Sequence, residues 1–402
     1  MTINRRHIGI ILLLATIVSC SGKDREPMSL RMVRSEMARN ASAAYLDGMD
    51  GRLKWNYTVG LELRSFAEAS RMYGVAEPFG YAKEWVDTVL DAVSRTGSTL
   101  NYKKSAYVLD HICPGWLCLS LYDRTDDGRY KAVADTLFSQ LMSHPRTEAG
   151  PFWHKAVYPH QLWLDGVYMA MPFYAAYVKE FIPETERGKY WEDIVREFTV
   201  TAEKTFDPVT HLYRHAWDES RSMYWADPVT GQSSHAWGRA IGWFAMALVD
   251  VLEIMPEDVP GRDSLKELVR HLAGTLPSWA DKESGMWYQV LDCPGREGNY
   301  LESSCSIMFI YMYLKALRLG MLDKSLNDYA RDLYRRFNGC FVRENADGTL
   351  SVTSCCSVAG LGGKQHRDGS YAYYIGEPVV ENDCKAVGAY ILASLEFEKY
   401  CR

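Results

Sequence analysis

The run His160-Gln-Leu-Trp-Leu-Asp-Gly-Val-Tyr-Met-Ala-Met-Pro-Phe173 sets one carboxylate, Asp165, beside Trp163, Leu164, Val167, Tyr168 and Met169. An acid so placed is either an N-terminal helix cap or a group whose apolar surroundings favour the protonated form that a general acid needs. A second carboxylate, Asp110, lies in Tyr107-Val-Leu-Asp-His-Ile-Cys-Pro-Gly-Trp116, where Pro-Gly signals a turn and the aromatics frame a candidate pocket. It is either a partner acid of the glycosidase kind, or a cap or salt-bridge residue. His154 and His215 sit on aromatic loops, and Trp237-Gly-Arg-Ala-Ile-Gly-Trp243 holds a guanidinium between two indoles. Arg239 is suited to bidentate binding of a sugar carboxylate, and Trp to stacking on a sugar ring. Taken singly, each is a weak signal, since a lone histidine is usually a satisfied structural residue and Arg near Trp is often just a packed cation–π contact. They become a site only if the chain brings them to one rim.

The elements that must do so are helical. Phe244, Leu248, Val251, Leu252 and Met255 recur at helical spacing, as do Ile307, Ile310, Tyr311, Leu314 and Leu317. Lys385 to Tyr400 is again helical, with small residues for close packing, and strand-like alternation is scarce. A weak internal repeat orders these helices. Asp207-Pro-Val-Thr-His-Leu-Tyr-Arg-His-Ala-Trp-Asp218 aligns without gaps on Asp281-Lys-Glu-Ser-Gly-Met-Trp-Tyr-Gln-Val-Leu-Asp292, and Gly150-Pro-Phe-Trp-His154 resembles the same loop. Each copy precedes a helical segment, beginning near Trp163, Trp237 and Glu302. A period of about sixty residues or more fits a helical hairpin, and about six such units fill the chain, the size of an all-α (α/α)6 barrel whose loops converge at one end.

Composition narrows the partners. The chain has 402 residues, 47% hydrophobic and 24% charged, enough for a large core, and no Pro/Gly/Ser-rich linker divides it. Forty-five basic against fifty-one acidic residues give a net charge of −6 with no Lys/Arg stripe, which argues against nucleic acid. Twelve Trp and twenty-six Tyr suit sugar faces, although they serve equally as core. No H-E-x-x-H, Gly-rich phosphate loop, G-x-S-x-G elbow or zinc-spaced cysteine pair occurs.

Arg5 and Arg6 precede the apolar run Ile8 to Val18, too short to span a bilayer but shaped like an export signal. The ending Ile17-Val18-Ser19-Cys20 resembles a bacterial lipoprotein processing site with Cys20 as the lipidated residue. The expected organisation is a signal peptide over 1–19, a tether over 20–27 and one barrel domain over 28–402, lipid-anchored in the periplasm or at the outer membrane. Membrane contact is expected only through that anchor.

Several motifs in order resemble the unsaturated rhamnogalacturonyl hydrolases of glycoside hydrolase family 105, related to the unsaturated glucuronyl hydrolases of family 88. They are L-D-H at Asp110, W-L-D-G-V-Y-M-A-x-P-F at Asp165, H-A-W-D from His215 and W-G-R-x-x-G-W from Trp237. G-M-W-Y-Q-V-L-D from Gly285, Y-L-E-S-S from Tyr300 and V-x-N-D-x-K-A-V-G-A-Y-I-L-A-S from Val380 follow. The resemblance implies an (α/α)6 barrel acting on an unsaturated uronic-acid oligosaccharide, with no metal or organic cofactor. It implies that Asp165 protonates C4 of a C4=C5 bond and delivers oxygen to C5, directly or through water, while Asp110 helps hold substrate and water. Tyr57, His154, Trp163, His215, Trp237, Arg239 and Trp243 match pocket positions, with His215 and Arg239 expected to touch the uronate or its hydroxyls.

Two departures bear on specificity. The familiar R-G-N-G-W form is Arg239-Ala-Ile-Gly-Trp243 here, and the late loop Lys364-Gln-His-Arg-Asp368 leaves His366 and Arg367 as open candidates for shaping the leaving-sugar side. The same chemistry on unsaturated glucuronyl oligosaccharides is the main alternative. A sugar epimerase, which would need paired acid/base histidines, and a noncatalytic sugar-binding lipoprotein, which would tolerate loss of Asp165, are the others.

Overall fold

The computed structural model describes residues 26–47 and 52–400, so the signal segment, Cys20 and most of the tether lie outside the described residues. The helices in chain order are α1 (Met28–Arg39), α2 (Tyr57–Tyr73), α3 (Ala76–Thr96), α4 (Gly115–Thr125), α5 (Gly128–Ser143), α6 (Leu164–Phe181) and α7 (Gly188–Thr205). They continue with α8 (Gly238–Ile254), α9 (Arg262–Thr275), α10 (Ser303–Arg318), α11 (Asn327–Phe341), the short α12 (Tyr371–Gly376) and α13 (Cys384–Lys399).

Hydrophobic pattern sorts these helices into two layers. α8 is buried on every face from Gly238 to Leu252, and α10 likewise from Ser303 to Leu317, as suits a helix with neighbours all round. α11 buries only Ala330, Leu333, Tyr334, Phe337 and Phe341, one stripe of an amphipathic outer helix. The inner helices close a ring: α2 packs on α4, α4 on α6, α6 on α8, α8 on α10, α10 on α13 and α13 on α2. Outside it, α3, α5, α7, α9 and α11 each back the inner helix preceding them, and α1 backs α13, so the sixth hairpin is made from the two ends of the described chain. This is the six-hairpin toroid expected from the repeat.

All inner helices run in one direction, which gathers their N-terminal ends at one mouth. Asn56 caps α2 by accepting from Val59 N, Glu302 caps α10 by accepting from Cys305 N, and Asp383 caps α13 by accepting from Lys385 N. Trp163, Trp237 and Glu302 directly precede α6, α8 and α10, where the repeat placed the helix starts.

Short strands at the mouth pair as β1 (Gln161–Trp163) with β2 (Ala216–Asp218), β3 (Val342–Glu344) with β4 (Leu350–Val352), and β5 (Cys355–Cys356) with β6 (Val379–Val380), all antiparallel. Further backbone bonds stitch successive loops: Leu109 N to His154 O, His154 N to Gln161 O, His215 N to His235 O, Gly238 N to Gln289 O and Ser303 N to Ser354 O. The loop backbones satisfy one another, so the loops are held in register around the mouth.

The repeated loops share one turn. His211 N donates to Asp207 O and Gly285 N to Asp281 O, each at 2.8 Å, and both fifth residues are left-handed, with φ of 58° and 75°. Asp227-Pro-Val-Thr-Gly231, outside the repeated loops, makes the same bond at 2.8 Å. The apolar pairs of these loops are core: Leu212, Tyr213, Met286 and Trp287 are buried, so they fasten the loops to the helices rather than line a sugar site.

At the far end of the ring, Asp250 is buried with Arg64 Nη1 at 3.2 Å and Lys315 Nζ at 2.5 Å. A cavity of about 870 Å³, lined by Arg64, Trp116, Tyr311, Lys315 and Glu396 among others, opens there. It is remote from the mouth where the candidate catalytic groups meet. The eight described cysteines are unpaired, and among the described residues no helix is long and apolar enough to cross a membrane.

Candidate active site

Asp165 lies in the first turn of α6, but it is not the cap: that position is Trp163, which makes no side-chain capping bond. Its side chain keeps 14% exposure, and its Oδ2 stands 3.1 Å from Nε2 of the fully buried His215. The approach is off the line of a hydrogen bond, and neither atom has another partner. On the other side of the ring, His215 Nδ1 is 2.7 Å from the Tyr374 hydroxyl. Burial holds Tyr374 far above the ordinary tyrosine range, so its proton stays on. A tyrosyl proton directed at Nδ1 would place the ring proton on Nε2, the nitrogen on the Asp165 side.

Asp110 is different in kind. It sits in a single 3₁₀ turn, Leu109–His111, with Lys155 Nζ 2.6 Å from Oδ2 and His154 Nε2 3.6 Å from Oδ1. Burial raises its pKa, but Lys155 and His154 outweigh burial and bring it down to about 2. Lys155 in turn is desolvated, yet Asp110 holds it more firmly charged than usual. The salt-bridge reading of Asp110 is therefore the observed one, and the pair stands in the mouth rather than on an outer surface. An acid kept ionised cannot donate a proton near neutral pH. Among the described residues no Lys or Arg stands within ion-pair distance of Asp165.

His154 links the two acids. It feels the charges of Asp110 and Asp165, and burial lowers it to about 4, so it is a neutral imidazole at neutral pH. It stacks on Trp163 at 4.5 Å, and Trp163 meets His215 edge-on at 5.4 Å. Gly166, next to Asp165, makes this approach possible: a Cβ there would lie 2.8 Å from Leu109 Cδ1 and 3.2 Å from His154 Nδ1.

Buried aromatic rings pack beside these groups. Trp237 packs against His215 at 4.8 Å and donates from Nε1 to Gln289 Oε1. Trp243 is 1% exposed, stacked on Tyr168 at 4.8 Å and met edge-on by Tyr57 at 6.1 Å. Tyr57 opens α2 and lies within electrostatic range of Asp110, Arg239 and Lys385.

Arg239 corrects one expectation. The resemblance gives it and His215 a direct grip on the uronate, but His215 is 0% exposed, and Arg239 is 1% exposed with its guanidinium already held by Ser304 Oγ at 2.7 Å, Glu302 Oε1 at 3.2 Å, Cys355 Sγ at 3.2 Å and the Cys356 carbonyl. Only Nη1, 3.4 Å from Ser357 O, is weakly engaged. Arg239 thus ties the Cys355–Ser357 loop to the N-terminus of α10. Sequence reasoning also missed Lys155 and Tyr374. Neither carries a motif of its own, and Tyr374 is 159 positions from the histidine it contacts.

Among the described residues, His235, Asp292 and Cys293 form the group with metal-ligand atoms in reach of one another. Arg214 Nη1 already lies 2.9 Å from Asp292 Oδ2, and His235 Nδ1 3.1 Å from the same oxygen, which makes it a poor seat for a cation.

Known proteins share this arrangement of the chain. The profile of Glycosyl Hydrolase Family 88 matches residues 28–401. A glycoside hydrolase from family 105 of C. acetobutylicum superimposes with a TM-score of 0.84 at 38% identity, covering 93% of this chain and 100% of its own. The unsaturated rhamnogalacturonyl hydrolase YesR of Bacillus subtilis is 29% identical over 266 residues, 63% of this chain and 68% of the relative. An unsaturated glucuronyl hydrolase specific for heparin shares the fold, with a TM-score of 0.64 at 14% identity, covering 93% of this chain and 96% of its own.

Proposed function

This chain belongs to the glycosyl hydrolase family 88 and 105 group of unsaturated uronyl hydrolases, and from that premise we propose that it releases 4,5-unsaturated galacturonic acid from lyase-generated rhamnogalacturonan fragments. The observation that carries the reading is the contrast between the carboxylates. Asp110 is locked as an anion by Lys155, whereas among the described residues no Lys or Arg pairs with Asp165, and its Oδ2 has no hydrogen-bond partner.

In the proposed reaction Asp165 gives its proton to C4 of the C4=C5 bond, and positive charge develops at C5 and the ring oxygen. Asp110, an anion in the same mouth, stabilises that charge and holds a water. The Asp165 carboxylate then takes a proton from the water as its oxygen bonds to C5, which restores the acid. One water has been added across the double bond. The resulting hemiketal opens and expels the neighbouring sugar. Carboxylate separation therefore does not report inversion or retention, since no ordinary displacement at the anomeric carbon occurs.

The rhamnose-linked substrate is favoured by the likeness to YesR. The glucuronyl alternative leans on the family 88 match and on neighbours that share the fold. The two separate by following loss of ultraviolet absorbance from the double bond with unsaturated galacturonyl-rhamnose and an unsaturated glucuronyl disaccharide. Faster loss with the first is expected; loss with the second alone would move the enzyme to another polysaccharide.

Export and lipid attachment at Cys20 belong to the same proposal, on the strength of the Ile17–Cys20 pattern. Cys20→Ala should move the protein out of the membrane fraction, and unchanged fractionation would refute the anchor.

A further inference from the structure

The late loop left open by the sequence folds over the mouth, and its cation is set in place by neutral groups. Leu361 is fully buried against Trp163, Ala216 and Trp225, with Tyr158 and Met223 packed beside them. Arg367 pairs with Gly362 through two backbone bonds and points its side chain back along the loop: Nε donates to Gly362 O at 3.2 Å, and Nη2 to the Tyr158 hydroxyl at 3.2 Å and Leu361 O at 3.4 Å. Gly360 leaves the room for it, since a Cβ there would meet Nη1 at 2.6 Å. Tyr224 donates to Arg367 O at 3.3 Å and stacks on His366 at 3.9 Å. Among the described residues no carboxylate lies within ion-pair distance of Arg367, and no protein acceptor engages Nη1. The rim charge is therefore placed but uncompensated, and Asp110, the carboxylate beside nearby Lys155, is already engaged by that lysine.

The aromatic path from Asp165 leads outward to it. His215 is fully buried, Trp163 is nearly so, Tyr158 stacks on Trp163 at 5.2 Å and is half-buried, and Tyr224 is 46% exposed. An unsaturated sugar is by its chemistry the terminal unit, so on the reading above it lies at Asp165 and the rest of the oligosaccharide would leave along this path. We propose that Arg367, seated on Gly360 and Tyr158, forms an outer subsite that binds a carboxylate on the leaving side of the cleaved bond, the next uronate of an acidic fragment. A planar guanidinium with one edge tied to neutral acceptors presents the remaining nitrogen and its full charge to such a group. This rests on the uronyl hydrolase reading above and names a longer, acidic substrate for the same site.

The test compares kcat/KM for an unsaturated tetrasaccharide carrying a second uronate with that for an unsaturated disaccharide ending in neutral rhamnose. In Arg367→Gln the ratio is expected to fall by about ten-fold, the loss appearing in KM of the tetrasaccharide, with Arg367→Lys restoring part of it. Gly360→Ala keeps the charge but displaces it, and should lower the ratio too; its backbone needs no left-handed φ, so the fold survives. An unchanged ratio in Arg367→Gln, or equal loss on both substrates, would overturn the subsite while leaving the hydrolase reading intact. Absence of turnover of both substrates by the wild-type protein would instead overturn the parent reading.

Discussion

His215 stands between Tyr374 and Asp165, its Nδ1 2.7 Å from the tyrosyl oxygen and its Nε2 3.1 Å from the carboxylate. The three come from three separate parts of the ring: α12, the loop after α7, and the start of α6. If the Tyr374 hydroxyl donates to Nδ1, the ring proton sits on Nε2, on the Asp165 side. Tyr374→Phe removes that hydroxyl and leaves a buried ring nitrogen unpaired. It should lower kcat by about ten-fold, with KM changed less than about two-fold. Steady-state kinetics on the unsaturated disaccharide test this, and an unchanged kcat would remove Tyr374 from the positioning role.

Gly166→Ala separates geometry from stability. Alanine gains about 1 kcal/mol over glycine within a helix, but here its methyl crowds Leu109 and His154, the residues flanking Asp110 in space. The two effects offset, so unfolding free energy should move by less than about 1 kcal/mol while kcat/KM falls by about ten-fold or more. A large loss of stability with normal activity would contradict this.

Arg239 predicts a structural phenotype. Arg239→Leu leaves Glu302 buried at 0% exposure beside the start of α10, with hydrogen bonds from Ser304, Cys305 N and Cys356 N but no cation. Breaking such a pair costs about 3 kcal/mol or more. The apo protein should melt several degrees lower, as thermal unfolding without substrate would read. A melting point unchanged from wild type, with weakened uronate binding, would restore the direct grip that the sequence suggested.

His154 should leave a mark on the pH dependence of stability. Its pKa is near 4 in the fold against the usual 6.5, so between those values the unfolded chain binds the extra proton and stability falls as pH falls. Buried Glu197 works the other way: raised to about 7 by desolvation, it holds a proton in the fold down to its ordinary range, and its contribution grows as pH falls. The clean measurement is thus a difference. The stability advantage of wild type over His154→Gln should shrink by on the order of 3 kcal/mol between pH 7.5 and 4 in denaturant unfolding. Parallel pH profiles would contradict the assignment.

What the sequence revealed and what it hid follow from the range of the signals. Helical periodicity and the Asp207 and Asp281 loops are local patterns, and they led to the toroid and to helix starts at Trp163, Trp237 and Glu302. The loop aromatics recur just as clearly, yet Tyr213 and Trp287 turn out to be core, because a repeated ring is as useful for anchoring as for stacking. Lys155 gives no pattern beyond adjacency to His154, and its meaning comes from a 2.6 Å contact with Asp110, forty-five positions away. Arg239 looked like a ligand because nothing in its motif announces Glu302 or the Cys356 carbonyl, which reach it across the ring.

In the proposed reaction Asp165 is the proton donor to the double bond. The most direct measurement follows loss of ultraviolet absorbance of an unsaturated uronyl disaccharide with wild type and with Asp165→Asn, each shown to be folded by thermal unfolding and to bind substrate by calorimetry. Wild type should bleach the substrate, and Asp165→Asn should bind it comparably while turning it over at least about a thousand-fold more slowly. Bleaching by Asp165→Asn at close to the wild-type rate would contradict the account and return the proton to another group.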